Sequence, residues 1–259
     1  PETLNERLNT QKLPEELKTL AEKFNEMMGR IENSFSQLNR FSTDIAHELR
    51  TPINNLRGGI EVGLGKDRTI QEYQDILVSS LEDCERISDM IDNLLFLARA
   101  EHPQAKIVKE SINVLGEVEN IKDYFETETK GLSVAMEVRI DSTLYFSVDK
   151  VLFQRAVANI LSNSLKHTNA GEVIICAWII DSELVIEITD SGSGILESDL
   201  PYVFERFYRA DIARVTTGAS TGLGLAIVRG IMDLHGGTAQ AFSVRGEGTK
   251  VVLTFPNTK

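Results

Sequence analysis

A periodic ladder of apolar side chains constrains this chain more than any other feature. Leu17, Leu20, Phe24, Met27 or Met28, and Ile31 recur at heptad spacing. Ile31, Phe35, Leu38, Ile45, Leu49, Ile53, Leu56 and Ile60 carry the stripe onward, mostly at spacings of three, four or seven. Such a stripe is one face of a helix in a bundle or coiled coil. Leu13-Pro14-Glu15-Glu16 reads as its start, with proline in the first turn and acids near the positive end of the dipole. Nothing stops the helix at Gly29, so it should run on past residue 47. A helix this long cannot stand alone in water, and a homodimeric coiled coil is the simplest way to bury its stripe. Pro52 removes the hydrogen bond to the Glu48 carbonyl and is expected to interrupt and kink the helix. The helix should end near 63–68. A second amphipathic helix is expected from about Thr69 to Ala100, with Tyr73, Ile76 or Leu77, Leu81, Cys84, Ile87, Ile91, Leu94 or Leu95, and Ala98 inward. Two such hairpins make a four-helix bundle.

Into this helix is set the stretch Phe41-Ser42-Thr43-Asp44-Ile45-Ala46-His47-Glu48-Leu49-Arg50-Thr51-Pro52. It places a histidine, an acid, a base and a threonine in five consecutive positions. His47 and Thr51 lie four apart, on one helical face. The reactive cluster therefore sits on the flank of a packed helix. A single histidine there, taken alone, also describes a solvated or core residue.

Composition narrows the function classes. The net charge is −12, from 27 basic against 39 acidic residues, which argues against a nucleic-acid surface. No apolar run approaches the roughly 18 residues a membrane helix needs. Pro1 is not a natural start, so the chain reads as excised from a longer protein. Cys84 and Cys176 are too few for a disulfide framework and read as small core residues in a reducing compartment. His102 and His235 read as linker and surface residues, and no His/Cys cluster has metal-ligand spacing.

After Glu101-His102-Pro103 the pattern changes to alternating short strands and helices. Strands are expected at 107–112, 132–139, 144–148, 172–181, 183–190, 238–244 and 249–255. Helices are expected at 114–130, at about 222–235, and after a capping Asp149 with Leu152, Ala156, Ile160 and Leu165 on one face. Asp181-Ser182 reads as a hairpin turn. The second half is thus an α+β sandwich, mostly antiparallel sheet covered by helices.

Four stretches of this half carry chemistry. In Asn159-Ile160-Leu161-Ser162-Asn163-Ser164-Leu165-Lys166-His167, Asn159 and Asn163 share a helical face, with Lys166 a turn further on. Their amide oxygens suit Mg2+, and Lys166 a phosphate, although a solvated face gives the same spacing. Asp190-Ser191-Gly192-Ser193-Gly194-Ile195 follows a strand. Asp190 there can accept from the exocyclic amine of a base, and the glycines let backbone approach a flat ring, although an ordinary turn looks alike. Gly218-Ala219-Ser220-Thr221-Gly222-Leu223-Gly224-Leu225 opens a helix whose free amides form an anion site. It is neither a Walker loop nor a dinucleotide fingerprint. Phe204-Glu205-Arg206-Phe207-Tyr208-Arg209 reads as the anchored base of a mobile lid over 210–221, or as a packed surface helix.

In their order and spacing these stretches resemble the H, N, G1, F and G2 boxes of the sensor histidine kinases of two-component systems. FSTDIAHELRTP, NILSNSLKH, DSGSGI, FERFYR and GASTGLGLAIV stand in that sequence, and the resemblance covers essentially the whole chain. Its wording looks most like the heavy-metal, copper/silver-type branch. The resemblance implies a HAMP-like helical segment over 1–33, a dimerisation and histidine phosphotransfer domain over 34–102, and a catalytic domain of the GHKL ATPase type over 103–259. It implies ATP and Mg2+, autophosphorylation of His47, and transfer to an aspartate of a response regulator receiver domain. It places the chain as the cytoplasmic portion of an inner-membrane protein, with sensor and membrane helices preceding it.

The resemblance also implies roles for single residues. Glu48 would polarise the His47 ring, Thr51 would orient water for dephosphorylating the partner, and Arg50 would steady phosphate charge. Asp190 would bind adenine, with Thr249 in support. Asn163 and Asn159 would hold Mg2+. Lys166, Arg209 and the 218–224 amides would cradle phosphates. His167, Gly192, Gly194, Ile195, Phe207, Gly218, Thr221, Gly222, Leu223, Gly224 and Leu225 complete the expected nucleotide site. Ser220 stands where the family usually has glycine, Ser164 where it has alanine, His167 where an aromatic is common, and Asn169 where proline is common. Two other readings compete. One is a nucleotide-binding scaffold that relays conformation without chemistry, which Ser220 favours. The other is a mechanical GHKL ATPase, a class that lacks an H box.

Overall fold

The computed structural model describes residue 8 and residues 14–102, 105–128, 133–209 and 221–257. The chain forms two compact units, Pro1–Ile87 and Ser88–Lys259.

The first unit is built on α1 (Glu15–Leu64), a single helix of 50 residues. It runs unbroken through Pro52, so the expected interruption does not occur. Proline costs the helix one donor, and the turns on either side remain helical across that gap. The chain then turns into α2 (Ile70–Ala100). The turn is fixed by polar groups. Arg68 donates twice to the Val62 carbonyl at the end of α1, at 3.1 and 3.0 Å, beside the Gly65 amide that also donates to it. Thr69 and Glu72 form a capping box, with Glu72 accepting from the Thr69 amide at 2.8 Å and its own amide donating to the Thr69 hydroxyl at 3.2 Å. The Thr69 amide and hydroxyl hold the Glu72 carboxyl below its usual range. The two helices close on each other at Gly63, where a methyl group would lie 3.5 Å from Ile76.

Within the single chain, α2 buries residues that the expected inward stripe does not include. Met90 and Leu97 are 2% exposed, whereas Leu77, Leu81, Cys84, Ile91 and Leu95 are exposed in the single chain. α2 thus carries two apolar stripes: the expected one stays largely open in the single chain, and a second holds Met90 and Leu97. Along α1, Leu17, Leu20, Phe24, Ile31, Ile53 and Ile60 are likewise exposed, while Ala21 is buried.

The second unit starts with the last turns of α2. It continues through β1 (Glu110–Asn113), α3 (Val114–Glu128), β2 (Ser133–Ile140), β3 (Tyr145–Val148), α4 (Lys150–His167), β4 (Ala170–Ile180), β5 (Glu183–Asp190), α5 (Gly224–His235), β6 (Thr238–Val244) and β7 (Gly248–Phe255). Five strands form one sheet in the order β2-β4-β5-β7-β6. β2 runs parallel to β4, and the other neighbours are antiparallel. β1 and β3 form a separate antiparallel pair. The period-two residues Val173, Ile175, Leu184, Ile186, Ile188, Val251, Leu253 and Phe255 are buried. Phe153, Val157, Ile160 and Leu161 of α4 and Ile227, Val228 and Ile231 of α5 supply the matching helical faces. Asp149 caps α4 by accepting from the Leu152 amide at 3.1 Å. Asp181 and Ser182 both take positive φ, 51° and 67°, and form the two-residue hairpin turn expected there.

The last turns of α2 belong to this core. Leu97 and Ala100 approach α5 where Gly230 has no side chain, each 3.6 Å from the site a methyl would fill. Arg155 of α4 stacks its guanidinium 4.4 Å over the Phe96 ring and donates to Asn93 at 2.7 Å.

Three expectations need correction. Cys84 is exposed, because it falls on the α2 stripe that the single chain leaves open. Cys176 is half-buried, because it alternates with inward-facing Ile175 and Ala177 and so lies on the other face of the sheet. His235 is a core residue at 3% exposure. Its Nδ1–H donates to the Ile231 carbonyl at 2.8 Å, its Nε2 accepts from the Asp149 amide at 3.2 Å, and its edge meets the Phe255 ring. Neither nitrogen has room for a second proton. Burial, more than the nearby Lys109, holds its pKa below the usual value, although the Ile231 carbonyl and Asp149 act the other way.

A pH dependence follows. The unfolded histidine titrates near about 6.5 and the folded one lower, so this contribution to stability is present above about pH 6.5 and is lost as pH falls below it. For one proton the slope is at most about 1.4 kcal/mol per pH unit. Denaturant melts at pH 7.5 and 5.5 are expected to show a smaller loss in His235→Gln than in the wild type. Equal losses would contradict it.

Candidate nucleotide and phosphoacceptor sites

Asp190 ends β5, and its carboxylate is held by three hydrogen bonds. It is 7% exposed. Oδ1 accepts from the backbone amides of Gly192 at 3.0 Å and Thr249 at 3.1 Å. Oδ2 accepts from the Ser164 hydroxyl at 3.0 Å. Antiparallel pairing sets Asp190 opposite Thr249, which brings the two together. The close packing around it needs glycine at two points. A side chain at Gly192 would stand 2.6 Å from the His167 carbonyl, and one at Gly248, with φ of 117°, would overlap the Asp190 carbonyl. The remaining wall is tied down by Ser243. Its hydroxyl accepts from the Ile195 amide at 2.8 Å, donates to the Gly248 carbonyl at 2.6 Å and lies 3.1 Å from the Thr249 hydroxyl. Among the described residues this gives one charged acceptor behind glycine-lined backbone, which suits the exocyclic amine and flat face of adenine.

The other expected groups converge from α4 and α5. Asn159 donates its amide N–H to the Arg155 carbonyl at 2.8 Å, which turns Oδ1 away from the helix. That oxygen lies 3.2 Å, and the Asn163 amide nitrogen 3.5 Å, from where a Gly224 side chain would stand. The two amides therefore face the N-terminal turn of α5, whose amides can form an anion site. Leu223, fully buried, anchors that turn, and Leu225 is half-buried. Gly222 has φ of 66° and packs on the backbone of Phe207 and Tyr208, with the Phe207 amide donating to the Gly222 carbonyl at 3.0 Å. Phe204–Arg209 is thus a turn that follows a short 3-10 segment at Leu200–Tyr202, and not a surface helix. Tyr208 fixes it by donating to Asp199 at 3.0 Å.

Lys166 is exposed on the last turn of α4, and Thr221 and Arg209 are half-buried. His167 follows Lys166, and burial of part of its ring lowers its pKa, which Asp190 opposes and Lys166 reinforces. Gly194 takes φ of 65° against the Val244 carbonyl. Gly218, Ser220 and the rest of the expected lid over 210–220 lie outside the described residues. A magnesium ion fits the donor set, because the Asn159 and Asn163 amide oxygens are hard donors beside an anion site. Residue spacing did not reveal Ser164, Ser243 or Gly248 as parts of the site. Ser164 was visible only as a departure from the family pattern.

The first unit carries the other chemistry. His47 is exposed on α1, with Glu48 half-buried beside it and Arg50 and Thr51 exposed. Ser42, Thr43, Ala46, His47 and Arg50 line a shallow groove of about 430 Å³. The imidazole is therefore open to a reaction partner.

The chain matches two family models. Residues 37–103 match the His Kinase A (phospho-acceptor) domain. Residues 148–259 match the histidine kinase-, DNA gyrase B- and HSP90-like ATPase. It is 40% identical over 256 residues to the sensor protein CzcS of Cupriavidus metallidurans, covering 98% of this chain and 53% of that protein. It is 37% identical over 254 residues to the sensor histidine kinase CusS of Escherichia coli, covering 98% and 52%. The chain thus spans about half the length of the curated relatives it matches. The fold resembles that of the histidine kinase ThkA solved in complex with the response regulator TrrA, with a TM-score of 0.70 at 21% identity, covering 91% of this chain and 66% of that one. With phospho-acceptor helices followed by a GHKL-type ATPase sheet, the chain belongs to the sensor histidine kinase family.

Proposed function

We propose that the protein is an ATP-dependent protein-histidine kinase that phosphorylates itself on His47 and passes the phosphoryl group to an aspartate of a response regulator. The observation that carries this reading is the Asp190 carboxylate, buried and anchored on one oxygen by two amides, in the same chain as an exposed histidine beside an acid. Asp190 accepts the adenine amine, and the Thr249 amide holds it in place. The α5 amides, Lys166 and Arg209 bind phosphate charge. Asn163 and Asn159 hold Mg2+, which when bound supplies charge neutralisation on the phosphates. Glu48 accepts a hydrogen bond from one ring nitrogen of His47, so the other attacks the γ-phosphorus in line as its P–O bond to ADP breaks. Arg50 steadies the transferred group. In the reverse role Thr51 orients a water on the partner's phosphoaspartate.

The exposed stripes of α1 and α2 support a homodimer through residues 34–102, since two hairpins would bury them together. In the full-length protein, membrane helices precede this portion, whose residues 1–33 are part of a HAMP-like segment, and place it on the cytoplasmic side of the inner membrane. The similarity to the sensor proteins CzcS and CusS supports a sensor role, with the stimulus acting on the part that precedes this portion.

Incubation with Mg-ATP labelled in the γ position is expected to give acid-labile, alkali-stable label on the protein, and ATP labelled in the α position to give none. Nucleotide binding without γ-label would instead indicate the scaffold reading.

A further inference from the structure

Ser164 lies on the penultimate turn of α4 and is 4% exposed. Its hydroxyl spans from the helix to the end of β5 and donates to Asp190 Oδ2 at 3.0 Å. The geometry at the carboxylate is asymmetric. Oδ1 already accepts two amide N–H groups, from Gly192 and Thr249, and a carboxylate oxygen has about two lone-pair sites. Oδ2 also has about two, and Ser164 fills one of them. Among the described residues a single acceptor direction is left, on the side away from α4.

Resting on the assignment of Asp190 as the adenine acceptor, we infer that Ser164 is a positioning residue that sets base specificity, by occupying the inner lone pair of Asp190 Oδ2 so that the carboxylate presents one outward acceptor to a 6-amino group. One N–H of adenine satisfies that direction. A 6-oxo purine offers an acceptor there, so two acceptors face each other at a buried carboxylate, which is the strong form of rejection. Without the hydroxyl the carboxylate keeps its two amide anchors, but Oδ2 gains a second open site. The group can then swing between two acceptor directions or take up a water, and its interaction with the amine weakens.

The test compares ATP with purine riboside triphosphate, which lacks only the 6-amino group, by calorimetric titration of the whole chain. Both are titrated against the wild type and Ser164→Ala, a change that α4 tolerates because alanine is the better helix former. The wild type is expected to prefer ATP. Ser164→Ala is expected to reduce that preference by about fivefold to tenfold, the scale of one hydrogen bond to a charged group. Its affinity for purine riboside triphosphate should stay within about twofold. An unchanged preference would overturn the inference, as would a parallel loss of both nucleotides, which is what a merely structural role predicts. No preference in the wild type would show that Asp190 does not read the amine, and would remove the premise itself.

Discussion

Asp190→Asn is expected to lower ATP affinity by on the order of a hundredfold while leaving the fold intact. The substitution conserves shape, so its effect comes from polarity. The Gly192 and Thr249 amides can only donate, and both point at Oδ1. The asparagine carbonyl must therefore take that position, which forces its NH2 group to where Oδ2 stood. There Ser164 can rotate its hydroxyl to accept. The adenine amine cannot adapt, and two donors face each other. A 6-oxo base would instead gain an acceptor for the new donor. Titration with ATP and inosine triphosphate should show the ATP loss greatly exceeding any inosine triphosphate loss. Equal losses would mean that the site had collapsed or that Asp190 does not contact the base edge.

His47→Gln should have the larger effect on chemistry and almost none on binding. Glutamine has no nucleophilic nitrogen, so covalent label from γ-labelled ATP is expected to fall below detection, at least hundredfold. The residue is exposed and helical, and glutamine is a good helix former, so α1 should keep its stability. The nucleotide groups belong to the other compact unit. The ATP dissociation constant should therefore stay within about twofold. Hydrolysis that persists without His47 would favour a mechanical ATPase.

The strands and helices were legible because their spacing is regular. Asp149 and Asp181-Ser182 then marked two of the boundaries. What spacing could not show was which of two apolar stripes each helix turns inward. On α2, Ile76 or Leu77 and Leu81 read as inward in a bundle, whereas within the single chain Met90 and Leu97 are the residues buried. His235 carried a usable signal, since it continues the buried Val228, Ile231 and Met232 series on α5. Its polarity and its place beside Gly236 hid it. The parallel pairing of β2 with β4 is set by a crossover through β3 and α4, which no local pattern records. In the nucleotide site, Asp190 and the asparagines stood out by residue type. The Ser164 bond joins residues 26 apart, and Gly248 matters only because β7 lies beside β5. Such contacts depend on sheet register, so they emerge only with the fold.

The most direct measurement is to locate the phosphoryl group by mass spectrometry at alkaline pH after incubation with Mg-ATP. The expected result is one phosphorylated residue, His47, in a chain that also binds ATP. Phosphate on any other residue, or none in a chain that binds ATP, would contradict the proposed transfer.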